Sequence, residues 1–153
     1  MEVLLDQCCR RKWIKKIYRN RFDGKEIRQR ISFHCFDKRK NEYAGSTRFY
    51  DINPDYKTLQ LGYTWYGKKF RETGLNKHCK FLLLSFAFEK SGMERVEFRA
   101  DNSNERSIAA MKSIGCKVEG ILRSQMPTQT EGVRRDSIVL SILKNEWFDE
   151  VSN

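Results

Sequence analysis

The sequence predicts a mixed α/β domain: a mostly antiparallel sheet with helices packed on both faces. Three observations point there. Apolar residues alternate with polar ones over 27–66 in three short runs separated by turn residues. A stretch from about 74 to 90 then switches to helical spacing and is apolar on two sides. After it the chain reads strand, helix, strand, strand. With 153 residues, roughly one domain's worth, the whole chain 1–153 is expected to form a single domain. Residues 1–24 would be a helical N-terminal segment and 25–153 the sheet core.

Taken in order, residues 3–22 place Trp13, Ile14, Ile17 and Tyr18 at helical spacing among many cations. The basic run 10–16 reads either as an anion-binding patch or as a solvated helix face. Asp23 and Gly24 mark a turn. Ile27, Ile31, Phe33 and Cys35 alternate with Arg28, Arg30, Ser32 and His34, so 27–36 is a first strand. Residues 43–50 and 59–66 follow as strands across polar turns at 37–41 and 53–55, which predicts an antiparallel meander. Thr73 is expected to cap the long helix and Ser91 with Gly92 to end it. Leu75, Cys79, Leu82, Leu83 and Phe86 form one stripe, with Phe81, Leu84 and Phe88 forming another. Residues 95–100 alternate as a strand. Asn104 caps a second helix whose inner face is Ile108, Met111 and Ile114, and Gly115 stops it. Residues 117–126 and 134–143 are the last two strands.

Composition narrows the function classes. Thirty Lys and Arg against twenty Asp and Glu give a formal charge of +10, while 39% of residues are hydrophobic and 12% aromatic. That content excludes a disordered chain, and the charge points to an anionic partner. The longest apolar run, 81–88, is interrupted by Ser85 and far short of a membrane span, so no membrane partner is expected. The first residues lack a basic stretch followed by an apolar one, which argues against a secretory signal. Five cysteines without CxxC spacing and two histidines form neither a disulfide framework nor a metal site. The expectation is reduced thiols in a cytoplasmic protein without a metal.

The segment most able to do chemistry joins the third strand to the long helix. Arg71, Glu72, Thr73, Gly74, Leu75 and Asn76 run directly into a helix N-terminus. The first turn of a helix leaves amides unpaired at its positive end, so it holds phosphate without side chains. Gly74 permits close backbone approach, and Arg71, Lys77 and Lys80 are expected to add mobile positive charge.

Here the sequence resembles the GNAT superfamily of N-acetyltransferases, in the branch similar to ribosomal-protein N-terminal acetyltransferases. The family's acetyl-CoA motif, Arg/Gln-x-x-Gly-x-Gly/Ala, appears as Arg71 to Asn76. It follows Leu61, Gly62, Tyr63, Thr64, Trp65 and Tyr66, similar to that branch's fourth strand. Asn104 and Ser107 through Met111 to Gly115 and Cys116 resemble its Asn-x-x-Ser helix, and 118–123 with 135–147 resemble its final strands. The resemblance spans about 27–151.

The resemblance implies a V-shaped opening between the third and fourth strands of 27–100, with acetyl-CoA as cosubstrate inside it. Its pyrophosphate would lie on the amides of Arg71, Glu72, Thr73, Gly74, Leu75, Asn76 and Lys77. Its pantetheine would run beside Thr64, Trp65 and Tyr66, with Asn104 and Ser107 on the far side. The implied reaction is direct attack of a primary amine on the thioester, the acceptor being a ribosomal or other protein N-terminus or a small amine. Met111 stands where many members carry a general-acid Tyr, so Ser107 is nominated as the catalytic hydroxyl, a proton donor or water-orienter. No general base stands out. Glu119 and Asp136 read as structural carboxylates, His34 as surface and Cys79 as core. Members usually begin with a strand and helix ahead of the segment seen at 3–22; neither is evident, and the missing elements bear on the substrate wall. A second reading is a basic GNAT-like module that binds ribosome, RNA or CoA without turnover. Trp147 and Phe148, expected to be partly exposed, suggest a homodimer.

Overall fold

The structure, a computed structural model, describes residues 29–151; the helix expected at 3–22 and the basic run 10–16 lie outside the described residues. Six strands form one sheet in the order β1-β2-β3-β4-β6-β5. They are β1 (Gln29–Asp37), β2 (Glu42–Asn53), β3 (Thr58–Tyr66), β4 (Arg95–Asp101), β5 (Lys117–Pro127) and β6 (Arg134–Leu143). The first three form the expected antiparallel meander. Helix α1 (Leu75–Ser85), extended by a wider turn over Phe86–Lys90, crosses between β3 and β4, which makes that one pair parallel. Helix α2 (Glu105–Lys112) follows β4, and a short helix α3 (Lys144–Glu146) leads into a final turn, Trp147–Val151.

The alternation read from the sequence becomes the core. Phe49, Leu59, Leu61, Val96, Phe98, Leu140 and Ile142 project from the sheet onto Leu83, Leu84 and Phe88 of α1 and Met111 of α2. Trp147 is fully buried, stacked on Phe88 at 5.8 Å and tilted against Phe81 at 5.0 Å, with its indole N–H donating to Glu89 Oε1. This corrects the expectation of an exposed Trp147 at a homodimer contact: a ring of that size contributes most when all its area leaves water. Phe148 remains 43% exposed.

A second, smaller cluster of Cys35, Ala44, Tyr66, Phe70, Leu75 and Cys79 sits under the entrance to α1. Phe70 and Leu75 are buried on either side of residues 71–74, which are exposed. Two apolar side chains thus hold both ends of a loop whose backbone stays open to solvent.

Candidate active site

β3 and β4 pair only at Thr58–Arg95, Leu59–Val96 and Gln60–Glu97. Beyond these the two strands splay. β2 covers the outer edge of β3 up to Tyr66, and β6 covers the outer edge of β4 along its whole length. The inner edges from Leu61 and from Phe98 onward therefore face each other across a gap. A β-bulge assists the divergence: Ser46 and Arg48 of β2 oppose Trp65 and Gly62 of β3, leaving one extra residue on β3. Tyr63 lies in that bulge at φ 50°, a region that disfavours side chains. Its ring is held by Tyr50 at 4.9 Å and by the Arg48 guanidinium at 4.6 Å. Thr47 Oγ1, within 3.1 Å of the Gly62 carbonyl and 2.9 Å of Thr64 Oγ1, fixes the same stretch.

The gap opens into a cleft of about 600 Å³, within the usual range for a small-molecule site. Its walls include Thr64, Trp65 and Tyr66 of β3, Phe98 and Arg99 of β4, Arg71, Gly74, Asn76 and Lys77 at the helix entrance, and Asn104, Ser107 and Met111 across from them. Of the residues expected from the sequence to hold acetyl-CoA, Thr73 and Leu75 do not line the cleft. Leu75 is buried in the small cluster, and Thr73 turns its hydroxyl to the Phe70 carbonyl at 2.8 Å. Thr73 is not the helix cap either. That position is Gly74, at φ 79°, where a left-handed conformation favours a residue without Cβ.

The amides at this entrance are open. The backbone N–H of Arg71 bonds to the Lys68 carbonyl, and the next inward donor is His78, which bonds to Gly74. Among the described residues, the N–H groups of 72–77 meet no acceptor. Six consecutive donors without acceptors thus lie at the positive end of α1. Asn76 Oδ1 is shielded from solvent and also unpartnered. Arg71 and Lys77 are exposed beside them. Arg106 of α2 pairs with Glu72 at 3.2 Å, so a carboxylate lies at the mouth beside those amides.

Across the cleft, Asn104 caps α2 as expected, its Oδ1 accepting from Ser107 N at 3.0 Å. Ser107 Oγ carries no hydrogen bond among the described residues and is available to a ligand. Met111 is buried in the core at the same wall. The Tyr66 hydroxyl points to Cys35 Sγ at 3.5 Å, inside the small cluster, and burial pushes its pKa up. It offers the cleft no proton.

Lys80 departs most from expectation. It is not a mobile surface cation: it is 7% exposed, lines the cleft, and its ammonium lies 4.9 Å from the centre of the Phe98 ring. No ion pair or hydrogen bond to it is recorded among the described residues. Burial lowers its pKa from 10.5 to about 8, opposed only by the nearby thiols of Cys116, Cys35 and Cys79. The sequence carries a signal for this. Asn76, Lys80, Leu84 and Phe88 fall on one i, i+4 row, and a lysine followed on its row by two large apolar residues is buried or snorkels. Phe98, Arg99, Arg106 and Ala110 were also absent from the sequence-based site; nothing in their local pattern places them beside the helix entrance.

Glu119 and Asp136 lie away from the cleft. Glu119 binds Arg95 at 2.6 Å and Ser141, while Asp136 accepts from the Ser124 amide at 2.7 Å. His34 is exposed and Cys79 is core.

A strand splay, a bulge beside it and a helix mouth facing it define an α/β domain with an open cleft at the parallel strand pair. The chain belongs to the GNAT acetyltransferase family: the family's acetyltransferase domain profile matches residues 5–117. It is 29% identical over 107 residues to a Bacillus subtilis (strain 168) protein named "Putative ribosomal N-acetyltransferase YdaF", covering 70% of this chain and 57% of that protein. Among solved structures, a GCN5-related N-acetyltransferase from Brucella melitensis is 27% identical with a TM-score of 0.72, over 76% of this chain and 52% of that one. A spermidine N-acetyltransferase variant from Vibrio cholerae, 13% identical, shares the fold alone, with a TM-score of 0.71 over 89% of this chain and 76% of that one. The chain thus spans little more than half the length of the Bacillus and Brucella proteins.

Proposed function

We propose that the protein transfers an acetyl group from acetyl-CoA to a primary amine, by direct attack of the amine on the thioester. The observation that carries this reading is the row of six unpartnered amides at 72–77, opening into the splay between β3 and β4. A diphosphate accepts from such a row, and the free edges beside it suit an extended, amide-bearing pantetheine. Arg71, Lys77 and Arg106 would supply the flexible positive charge, and Glu72 would leave Arg106 as a phosphate arrives. Thr64, Trp65 and Tyr66 would flank the pantetheine, with Asn104 and Ser107 opposite.

Catalysis then asks for a neutral amine, a donor to the developing oxyanion and a proton for the leaving thiolate. A free backbone N–H on the inner edge of β3 would serve the oxyanion. Ser107, with its unengaged hydroxyl, would orient the acceptor or a water. The acceptor we favour is a protein N-terminal α-amine, given the name of the Bacillus relative; a small amine is the alternative. Buried free thiols at Cys35, Cys79 and Cys116 suit a reducing cytoplasm, and no helix among the described residues is long and apolar enough to cross a membrane.

Calorimetric titration with acetyl-CoA tests the reading. Binding in the micromolar range that is lost in Gly74→Trp is expected. Absence of binding, or binding indifferent to that substitution, refutes it.

A further inference from the structure

The proposed reaction leaves one need unmet by the residues the family usually employs: a proton for the departing sulfur. Met111 cannot give one, the Tyr66 hydroxyl is engaged with Cys35, and the cleft-lining Ser107 is a neutral alcohol. A second observation, independent of the helix mouth, lies deeper. Among the described residues Lys80 is a buried ammonium without a carboxylate partner, and Phe98, over which it sits, immediately follows Glu97, the last residue of β4 paired with β3. It therefore occupies the narrow end of the splay. The exposed cations Arg71, Lys77 and Arg106 stand at the wide end, beside the open amides.

A ligand whose phosphates lie at the helix mouth and whose arm follows β3 inward brings its reactive end toward the narrow part. An unpaired buried charge is costly, and an anion formed there relieves that cost. We infer that Lys80 donates the proton to the leaving thiolate of CoA, an inference that rests on the acetyl-transfer reading.

In this step the amine nitrogen bonds to the thioester carbon and the carbon–sulfur bond breaks, leaving its electron pair on sulfur. Lys80 Nζ gives sulfur a proton. The acylated nitrogen loses one proton to water, and neutral Lys80 regains one from water. The sum is amine plus acetyl-CoA giving amide plus CoA thiol. The groups acting on Lys80 are the thiols of Cys79 on α1, Cys35 on β1 and Cys116 ahead of β5. Arg99 of β4 and the mouth cations Arg71, Lys77 and Arg106, with Glu72 paired to Arg106, line the same cleft. Depression of its pKa to about 8 by burial keeps the proton transferable near neutral pH.

The experiment compares the affinities of CoA and desulfo-CoA, which lacks the thiol, at pH about 8, where a thiol is partly ionised. A lysine facing sulfur lowers the bound thiol's pKa, and one unit corresponds to about a tenfold preference for the thiolate form. The wild-type chain is expected to prefer CoA several-fold. Lys80→Met abolishes the preference while holding desulfo-CoA about as tightly, and Lys80→Arg retains part of it. Lys80→Gln provides the same test if the methionine variant folds poorly. Equal affinities in the wild type overturn the inference. Equal weakening of both nucleotides by Lys80→Met also overturns it, by placing Lys80 on the phosphates or the pantetheine. If neither nucleotide binds the wild type, the acetyl-CoA reading itself fails.

Discussion

Replacing Lys80 by methionine is expected to stabilise the fold at neutral pH and to stop doing so in alkali. The lysine's pKa is about 8 in the folded chain against an ordinary 10.5. Below pH 8 both folded and unfolded chains carry the proton, and the fold bears the full cost of the buried charge. The gap of about 2.5 units corresponds to about 3 kcal/mol. Between pH 8 and 10.5 the unfolded chain binds more protons than the folded one, so wild-type stability rises with pH through that window. Methionine fills similar space without a charge. The variant should therefore exceed the wild type by about 3 kcal/mol at pH 7, and the difference should shrink toward zero near pH 10.5. Urea unfolding of both proteins across this range measures it. Because Lys80 also lowers the Cys35 and Cys116 thiols, the comparison is repeated with both cysteines replaced by serine. A difference that stays flat with pH, or a variant less stable at pH 7, refutes the account of Lys80 as a buried, unpaired cation.

Three further outcomes follow from the geometry. Trp147→Ala removes a fully buried ring stacked on Phe88 and should cost about 3–5 kcal/mol in denaturant unfolding. Asn104→Ala removes the acceptor of the Ser107 amide and should cost about 1 kcal/mol in the same assay. Ser107→Ala leaves that amide bond intact, because the bond uses the Ser107 main chain; acetyl-CoA affinity should stay within about twofold while thiol release with an amine acceptor slows about tenfold. Unchanged release would remove Ser107 from the reaction.

The elements were legible because the pattern of each is local. β4 runs over Arg95–Asp101 with the alternation read at 95–100, and Asn104 caps α2 through a residue type that does so by its own side chain. The helix cap at Gly74 was harder to see. Thr73 has the right chemistry, but Phe70 and Leu75 are both drawn into the small cluster, and the loop between them must turn left-handed to join them. Glu72 at φ 62° and Gly74 at φ 79° take that conformation, and the threonine hydroxyl is spent on Phe70.

By itself the sequence determined the order of strands and helices, the turn residues, and the motif that enters α1, since these depend on spacing along one chain. Tertiary structure alone decided that β3 and β4 part after three residue pairs, that Arg99 and Arg106 join the helix mouth around one cleft, and that Lys80 loses its water. Each of these turns on what lies opposite a residue rather than beside it in sequence. Burial and electrostatic environment are properties of the packed whole, so a lysine that reads as solvated in the chain becomes the buried charge at the narrow end of the cleft.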